Sequence, residues 1–498
     1  MSRSLRLASS ANVPSWPARV AILNDYVRIP YANGSSFASQ FLHRELRARG
    51  VEVTVLGPAD AQATPDELPP SHLALPSIPL RNHPGVHLPL PSRAHLHEVA
   101  RRRFDVVLGQ STSELMELGV WLRAFHDVPF VCVNTVHLPS VYNVLLPDAL
   151  HRFEWAHAVF RDGLVPYVER VAVDVYNRSD GLVVLSEGLA RYWEGRGVRV
   201  PIFVIPRAVE PRIFDRAPGP DPFAPEAVPG GRLLCVCRHV REKGLARLID
   251  VFARVVAPAH PTATLTLVGD GPDHDAFRAR AERLGVAHRV FFPGEQPLLS
   301  MSTWYRHADV FVYASLSDTY GQVVSEAMWC GLPVVAFDDA MGVAQQVEHG
   351  RTGVLVAPGP DAEAADREFG EQILRVLQPA RRRALGEAAA RRARHRCDPG
   401  VCVERYFAAF AQARRHCEAT AAERARARTR GHEIRLLGRW AFIHVALGGL
   451  GLLRPPARLN RNGARPPGWT ALPDPVPVAG LQPRRVTSRE EPLAEGAA

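Results

Sequence analysis

Lysine is nearly absent from this chain. Among its 60 lysines and arginines a single lysine, Lys243, stands alone. The arginine bias itself carries no mechanism. A solitary ammonium still marks a position, because lysine offers a compact point charge where arginine offers a planar fork. Long apolar runs are absent too. None reaches the ~20 residues that cross a bilayer. Residues 1–19 carry Arg3 and Arg6 but no continuous apolar core, which argues against a secretory signal. The seven cysteines show no zinc-like pairing, and Cys235 and Cys237 sit inside a strand pattern, so free thiols in a reducing cytoplasm are expected. No full G-x-G-x-x-G run follows the first strand, which leaves NAD binding with little support.

What is present is ample core material. A 498-residue chain that is 46% hydrophobic can bury two or more cores, and its 43 prolines and 37 glycines imply many loops. The net charge of +9 favours anionic partners: nucleotide phosphates, anionic lipid or nucleic acid. Nucleic acid is disfavoured, because the positive charge is dispersed and no stacking motif accompanies it.

The first half reads as strands alternating with helices. Val20–Leu23 is a short buried strand, followed by a turn from Asn24 to Ser36 with Asn33-Gly34 near its far end. An amphipathic helix over Ser36–Arg49 and a strand over Val51–Leu56 come next. Residues 58–97, rich in Pro and His, read as a long loop with short strands. Phe104–Leu108, Phe130–Asn134, Leu182–Leu185 and Pro201–Ile205 are further strands, and 150–178 is helical. His137 falls just past a strand end, where functional residues gather; a plain loop histidine is the bland alternative. Residues 215–231 hold five prolines and three glycines, a linker composition. The pattern restarts at Leu233–Cys237 and turns through Arg238 to Lys243-Gly244 into a helix. Two cations at a helix start can neutralise a diphosphate.

One stretch organises the second half. Val310–Tyr313 is a strand, Ser317–Gly321 a turn, Gln322–Met328 a helix stopped by Gly331, and Val334–Phe337 a second strand. This is a βαβ unit, whose ligands bind beyond the carboxyl ends of the strands. Asp318 lies in the turn and Glu326 in the helix; a capping Asp and a surface Glu remain the alternative. Asp273-His274-Asp275 has the form of a D-x-D metal site. It is set aside because it sits at a helix start, where acids are expected from the dipole alone.

These residues resemble the donor-site signature of family 4 glycosyltransferases, retaining enzymes of the GT-B fold. The match runs through Asp318, Gly321, Glu326, Ala327, Met328, Gly331, Pro333, Val334 and Val335. It extends to Arg238 with Lys243-Gly244, to the Pro206–Glu210 segment, and to Gly350 with Gly353. The departures are Asp318 for Glu, Ala208 and Cys237 for Gly, Glu210 for Asp and Gln345 for Glu. The resemblance covers about residues 20–417 and implies an α/β architecture of two Rossmann-like domains facing across a cleft. In it 20–210 is the acceptor domain, 211–231 the linker, 232–400 the nucleotide-sugar domain and 401–417 a crossover helix. Residues 1–19 are then a tail and 418–498 a basic, partly disordered extension.

The implied roles follow. Arg238 and Lys243 hold the donor diphosphate, and Glu326 the ribose. Asp318 and His137 contact the transferred sugar. Gly321 and the amides of Tyr320, Gln322 and Val323 approach the phosphates or sugar. Gly34 lies near the donor phosphates or the acceptor, and Pro293 with Gly294 reads the base through the backbone. The implied reaction moves a hexosyl group, with retention, from GDP-mannose or a UDP-sugar to a lipid or glycan acceptor. No metal and no cofactor are implied, the nucleotide-sugar being a substrate. The alternatives are a GT-B epimerase or phosphorylase and a non-catalytic sugar-nucleotide-binding subunit. Trp440–Leu453 is 14 residues of mostly apolar sequence flanked by Arg435, Arg439 and Arg454. It is too short to span a bilayer. Residues 435–454 are read as a membrane-surface contact on the cytoplasmic face, with a helix packed on the protein body as the alternative.

Overall fold

The computed structural model describes residues 17–25, 34–61, 63–79, 87–110, 114–137, 139 and 152–452. The tail before residue 17, Asn33 and most of its turn, and the Pro- and Arg-rich end lie outside the described residues. Parallel strands buried on both faces need continuous apolar runs rather than alternation, and the sequence supplies them. Val20, Ala21, Ile22 and Leu23 are fully buried, as are Val334 to Phe337.

Fifteen strands are described: β1 (Arg19–Leu23), β2 (Glu52–Pro58), β3 (His72–Leu75), β4 (Ser77–Pro79), β5 (His87–Pro89), β6 (Val106–Gly109), β7 (Phe130–Asn134), β8 (Gly181–Val184), β9 (Ile202–Val204), β10 (Arg232–Val236), β11 (Thr264–Val268), β12 (Val290–Gly294), β13 (Val310–Tyr313), β14 (Val334–Phe337) and β15 (Gly353–Val356). β4 and β5 form a small antiparallel pair. The others build two parallel sheets, ordered β3-β2-β1-β6-β7-β8-β9 and β12-β11-β10-β13-β14-β15. Each winds outward in both directions from its first strand. The chain order therefore switches between β1 and β6 and again between β10 and β13, and such switch points open the crevices in which doubly wound sheets bind ligands. The fold is the expected pair of Rossmann-like units.

Two connections tie the halves together. The segment after β9 carries a short helix, Pro211–Phe214, then buries Phe223 and Ala227 in the second core. At the other end the helix Pro399–Ala419 starts at Asp398, whose carboxylate accepts from the Val401 amide. It sends Val403, Phe407 and Phe410 into the core beneath β1 and β6. At the end of the stretch read as loop, Arg93–Arg101 is a helix of nine residues with only Leu96 and Val99 buried, too few apolar positions to show a period.

The extension beyond the returning helix is ordered to Leu452. The helix Arg430–Leu452 lies on the first half with Leu436 and Trp440 buried in its core. Arg439 reaches Glu117 at 2.9 Å, His444 reaches Glu114 at 3.1 Å, and Arg424 and Arg428 both hold Asp127, at 3.0 and 2.7 Å. Arg424, Arg428 and Arg439 are ion-paired to the body, so one face of this segment packs on the protein. Its other face leaves Ile434, Phe442 and Val445 more than 60% exposed. Among the described residues, no helix is long and apolar enough to cross a membrane.

Candidate active site

A cavity of about 480 Å³ opens between the two sheets, at the carboxyl ends of their central strands. Its floor on the second half is the pair of loops at the β10/β13 switch. The loop after β10 carries Cys237, Arg238 and Lys243 and ends at Gly244 in left-handed backbone (φ 70°). A Cβ at Gly244 would stand 2.5 Å from the Ala314 carbonyl oxygen, so only glycine lets this loop close on β13. The loop after β13 carries Asp318 and then Gly321, also left-handed (φ 73°), which starts the helix Gln322–Trp329. That helix points its free amides at the cavity.

These loops are joined by charge. The Lys243 ammonium donates to Asp318 Oδ1 at 2.6 Å, and the Tyr313 hydroxyl donates to Oδ2 at 2.6 Å. Burial alone would raise the Asp318 pKa, but Lys243 and the hydroxyl donors outweigh it and hold the carboxyl below its usual range. Burial likewise pulls Lys243 down, and the Asp318 carboxylate more than reverses it. The pair is ionised at neutral pH and neutral as a unit. Arg238, in contrast, lines the cavity as an exposed cation. This wall therefore presents Arg238, a paired Lys243 and a helix N-terminus, a set of donors suited to an anion. Hydrogen bonds to charged groups of this kind contribute roughly 1.5–3 kcal/mol each.

Glu326 lines the same cavity one helical turn deeper and accepts from the Tyr305 hydroxyl at 2.9 Å. Burial raises its pKa to about 7. The carboxyl thus sits at the midpoint of titration where a hydroxyl-bearing ligand would meet it. The neighbouring Gln322 donates from Nε2 to the Ala208 carbonyl at 3.1 Å, and Thr319 donates to the Thr135 carbonyl at 2.8 Å. The donor loop is therefore anchored on the other half of the molecule. Ala208 adopts no left-handed backbone, which is why it tolerates a side chain where the resembling family has glycine.

Of the residues singled out from sequence, Arg238, Lys243, Asp318, Gly321, Gln322, Val323 and Glu326 converge on the cavity. Others do not. Tyr320, singled out for its amide, is not among the lining residues; its side chain is buried with the hydroxyl near Cys397 Sγ (3.2 Å) and Ser325 Oγ (3.0 Å). Pro293 and Gly294 end β12 behind the rim; the residues that reach the cavity are the next four, Glu295 to Leu298. Gly34 begins the helix Gly34–Ala48, which lines the cavity farther along, through Phe37, Phe41 and Arg44. His137 lies outside the lining, its ring edge-on to Tyr192 at 4.6 Å. Burial first and Arg196 second lower its pKa to about 4, so it is a neutral imidazole. Asp273, set aside as a metal ligand, accepts from the Arg241 amide at 2.9 Å and caps the loop instead.

The opposite wall was not anticipated. Arg44 and Glu210 form an ion pair at 2.6 Å across 166 residues of sequence, and Arg207 lines the cavity beside them. The amphipathic helix and the Pro206–Glu210 segment were each visible in sequence, but not that they meet to form this wall.

Two doubly wound units with a cationic cleft at their facing switch points define a GT-B glycosyltransferase architecture. Comparison with known proteins agrees. The model described as Glycosyltransferase Family 4 matches residues 33–212, and that of Glycosyl transferases group 1 matches 227–392. Between them they cover both halves and well over half of the chain, which belongs to the family 4 glycosyltransferases. The chain is 28% identical over 414 residues to D-inositol 3-phosphate glycosyltransferase of Acidothermus cellulolyticus, covering 78% of this chain and 89% of that protein. It is 23% identical to alpha-monoglucosyldiacylglycerol synthase of Streptococcus pneumoniae, covering 68% and 77%. In fold it is similar to Anabaena HepE in complex with UDP and glucose, with a TM-score of 0.58 at 18% identity, covering 79% of this chain and all of that one.

Proposed function

We propose that this glycosyltransferase moves a hexosyl group from a nucleotide-sugar, GDP-mannose or a UDP-sugar, to a lipid or glycan acceptor with retention at the anomeric carbon and without an obligatory metal. The observation that carries the reading is the meeting of Arg238, the Lys243–Asp318 pair and the start of the helix Gln322–Trp329 at one end of an inter-sheet cavity. A departing nucleoside diphosphate needs fixed positive charge and amide donors where its own charge grows, and this wall supplies both before substrate arrives. Lys243 is held in place by Asp318, so no reorganisation is required during transfer. Glu326 accepts ribose hydroxyls in its carboxylate form. The UDP in the HepE complex and the lipid named in the diacylglycerol synthase fit this reading. The exposed Ile434, Phe442 and Val445 face is where a membrane surface would meet the extension.

The test is a transfer assay with α-linked UDP- and GDP-sugars, lipid and glycan acceptors, and EDTA. The anomeric proton of the product is then read by NMR. An α-linked product formed in EDTA is expected. A β-linked product overturns retention, and strict dependence on added metal overturns the metal-free step.

A further inference from the structure

Arg207 is an anomaly in the cavity wall. It sits in the segment that leaves β9, beside Ala208, whose carbonyl receives Gln322 from the donor helix. Its own carbonyl accepts from the Tyr320 hydroxyl at 3.4 Å, so its backbone is fixed against the donor loop. Burial pulls the pKa of its guanidinium below the ordinary value, and the phenols of Tyr406 and Tyr320 offset this only in part. Its Nε is buried without a hydrogen-bond partner. The carboxylate three residues on, Glu210, is already taken by Arg44. Arg207 nonetheless keeps part of its surface open to the cavity. A guanidinium carries five donors in a fork suited to phosphate. Leaving it desolvated and unmatched is unfavourable unless a ligand supplies the missing charge.

We propose that Arg207 is an anion-binding residue of this cleft, taking a phosphate group presented to the wall opposite Arg238. The phosphate comes either from the donor diphosphate or from a phosphorylated acceptor. This rests on the glycosyltransferase reading above and adds to it a second cation, on the other half of the molecule, that closes over the ligand.

The experiment is calorimetric titration of the wild type, Arg207→Gln and Arg207→Lys. UDP and GDP are titrated in one arm. Orthophosphate is titrated in the other, with and without saturating nucleotide. Arg207→Gln should weaken binding at least ~10-fold in one arm, and Arg207→Lys should recover part of it, since the charge returns without the fork. Weakening of nucleotide identifies the donor diphosphate; weakening of orthophosphate alone identifies an acceptor phosphate. Equal affinities of the wild type and Arg207→Gln in both arms overturn the proposal. So does a wild type that binds no orthophosphate while nucleotide binding ignores the substitution. Absence of nucleotide binding to the wild type contradicts the donor-site reading instead, and orthophosphate still decides Arg207. The melting temperature gives an independent check. Arg207→Gln should melt at or above the wild type. A fall, with Arg207→Lys binding unchanged, assigns the residue to packing and overturns the proposal.

Discussion

The two walls of the cleft are made in different ways. On the donor wall, Arg238, Lys243, Asp318 and Glu326 come from two short stretches, 236–243 and 318–326, each running from the end of one strand into one helix, and the loops at 268–270 and 295–301 complete the wall. On the opposite wall they come from the helix Gly34–Ala48, the segment after β9 and the returning helix Pro399–Ala419. The donor wall pairs Lys243 with Asp318 and leaves Arg238 exposed. The other pairs Arg44 with Glu210 and leaves Arg207 without a carboxylate. A nucleotide diphosphate is a constant ligand and can be met by a compact, prearranged device. If the opposite wall meets the acceptor, as the family resemblance implies, its assembly from distant parts lets it vary without disturbing that device.

Four changes would break or sharpen this contrast. The largest effect belongs to Lys243→Ala. It should cut transfer at least ~100-fold and destabilise the protein by ~3 kcal/mol, because Asp318 is left buried against one hydroxyl. Adding Asp318→Asn should restore stability in a urea melt while transfer stays low. Recovery of both would reduce the pair to a structural strut. Trp440→Ala, which empties a buried site beneath the terminal helix, should cost ~3 kcal/mol in the same melt while leaving nucleotide affinity unchanged. A parallel loss of nucleotide affinity would couple the extension to the donor wall.

Third, Glu326 titrates near 7 because it is buried. If its carboxylate form accepts the ribose hydroxyls, donor affinity is full above pH 7 and falls up to ~10-fold per unit as the pH drops below it. Glu326→Gln should flatten that profile, as read by titration between pH 5.5 and 8.5. The smallest effect is expected from Phe442→Ala on the exposed face of the terminal helix, within ~0.5 kcal/mol of the wild type in stability. Its readout is flotation with anionic vesicles, where reduced binding is expected; unchanged binding would remove that face from the membrane reading.

The contrast also explains what could be read from sequence. Strands such as Phe130–Asn134 and Val334–Phe337 announced themselves as apolar runs, since parallel strands are buried on both faces. Asp318, Gly321 and Glu326 were legible because a strand, a left-handed turn and a helix start fix their spacing within one local unit. Lys243 stood out by rarity, but its partner did not, because 75 residues separate it from Asp318 and only the adjacency of β10 and β13 joins them. Glu210 and Arg207 were visible as part of the Pro206–Glu210 segment, but the pairing of Glu210 with Arg44, 166 residues away, was not, for the same reason. The loop residues that line the cavity, Glu295 to Leu298, follow directly on Pro293 and Gly294, since the end of β12 is visible in sequence and the path of the loop beyond it is not. The terminal helix was read from its apolar content and flanking arginines, with packing on the body as the alternative. What places it is the burial of Leu436 and Trp440 together with the contacts of Arg439 to Glu117 and of His444 to Glu114 on the first half of the chain.

The most direct test of the central claim is a thermal-shift comparison of the wild type with UDP, GDP and ADP in EDTA. One base should raise the melting temperature selectively, with the shift lost in Arg238→Ala. A folded wild type that responds to none of them, or an Arg238→Ala variant that responds as strongly as the wild type, would contradict a nucleotide site on the donor wall.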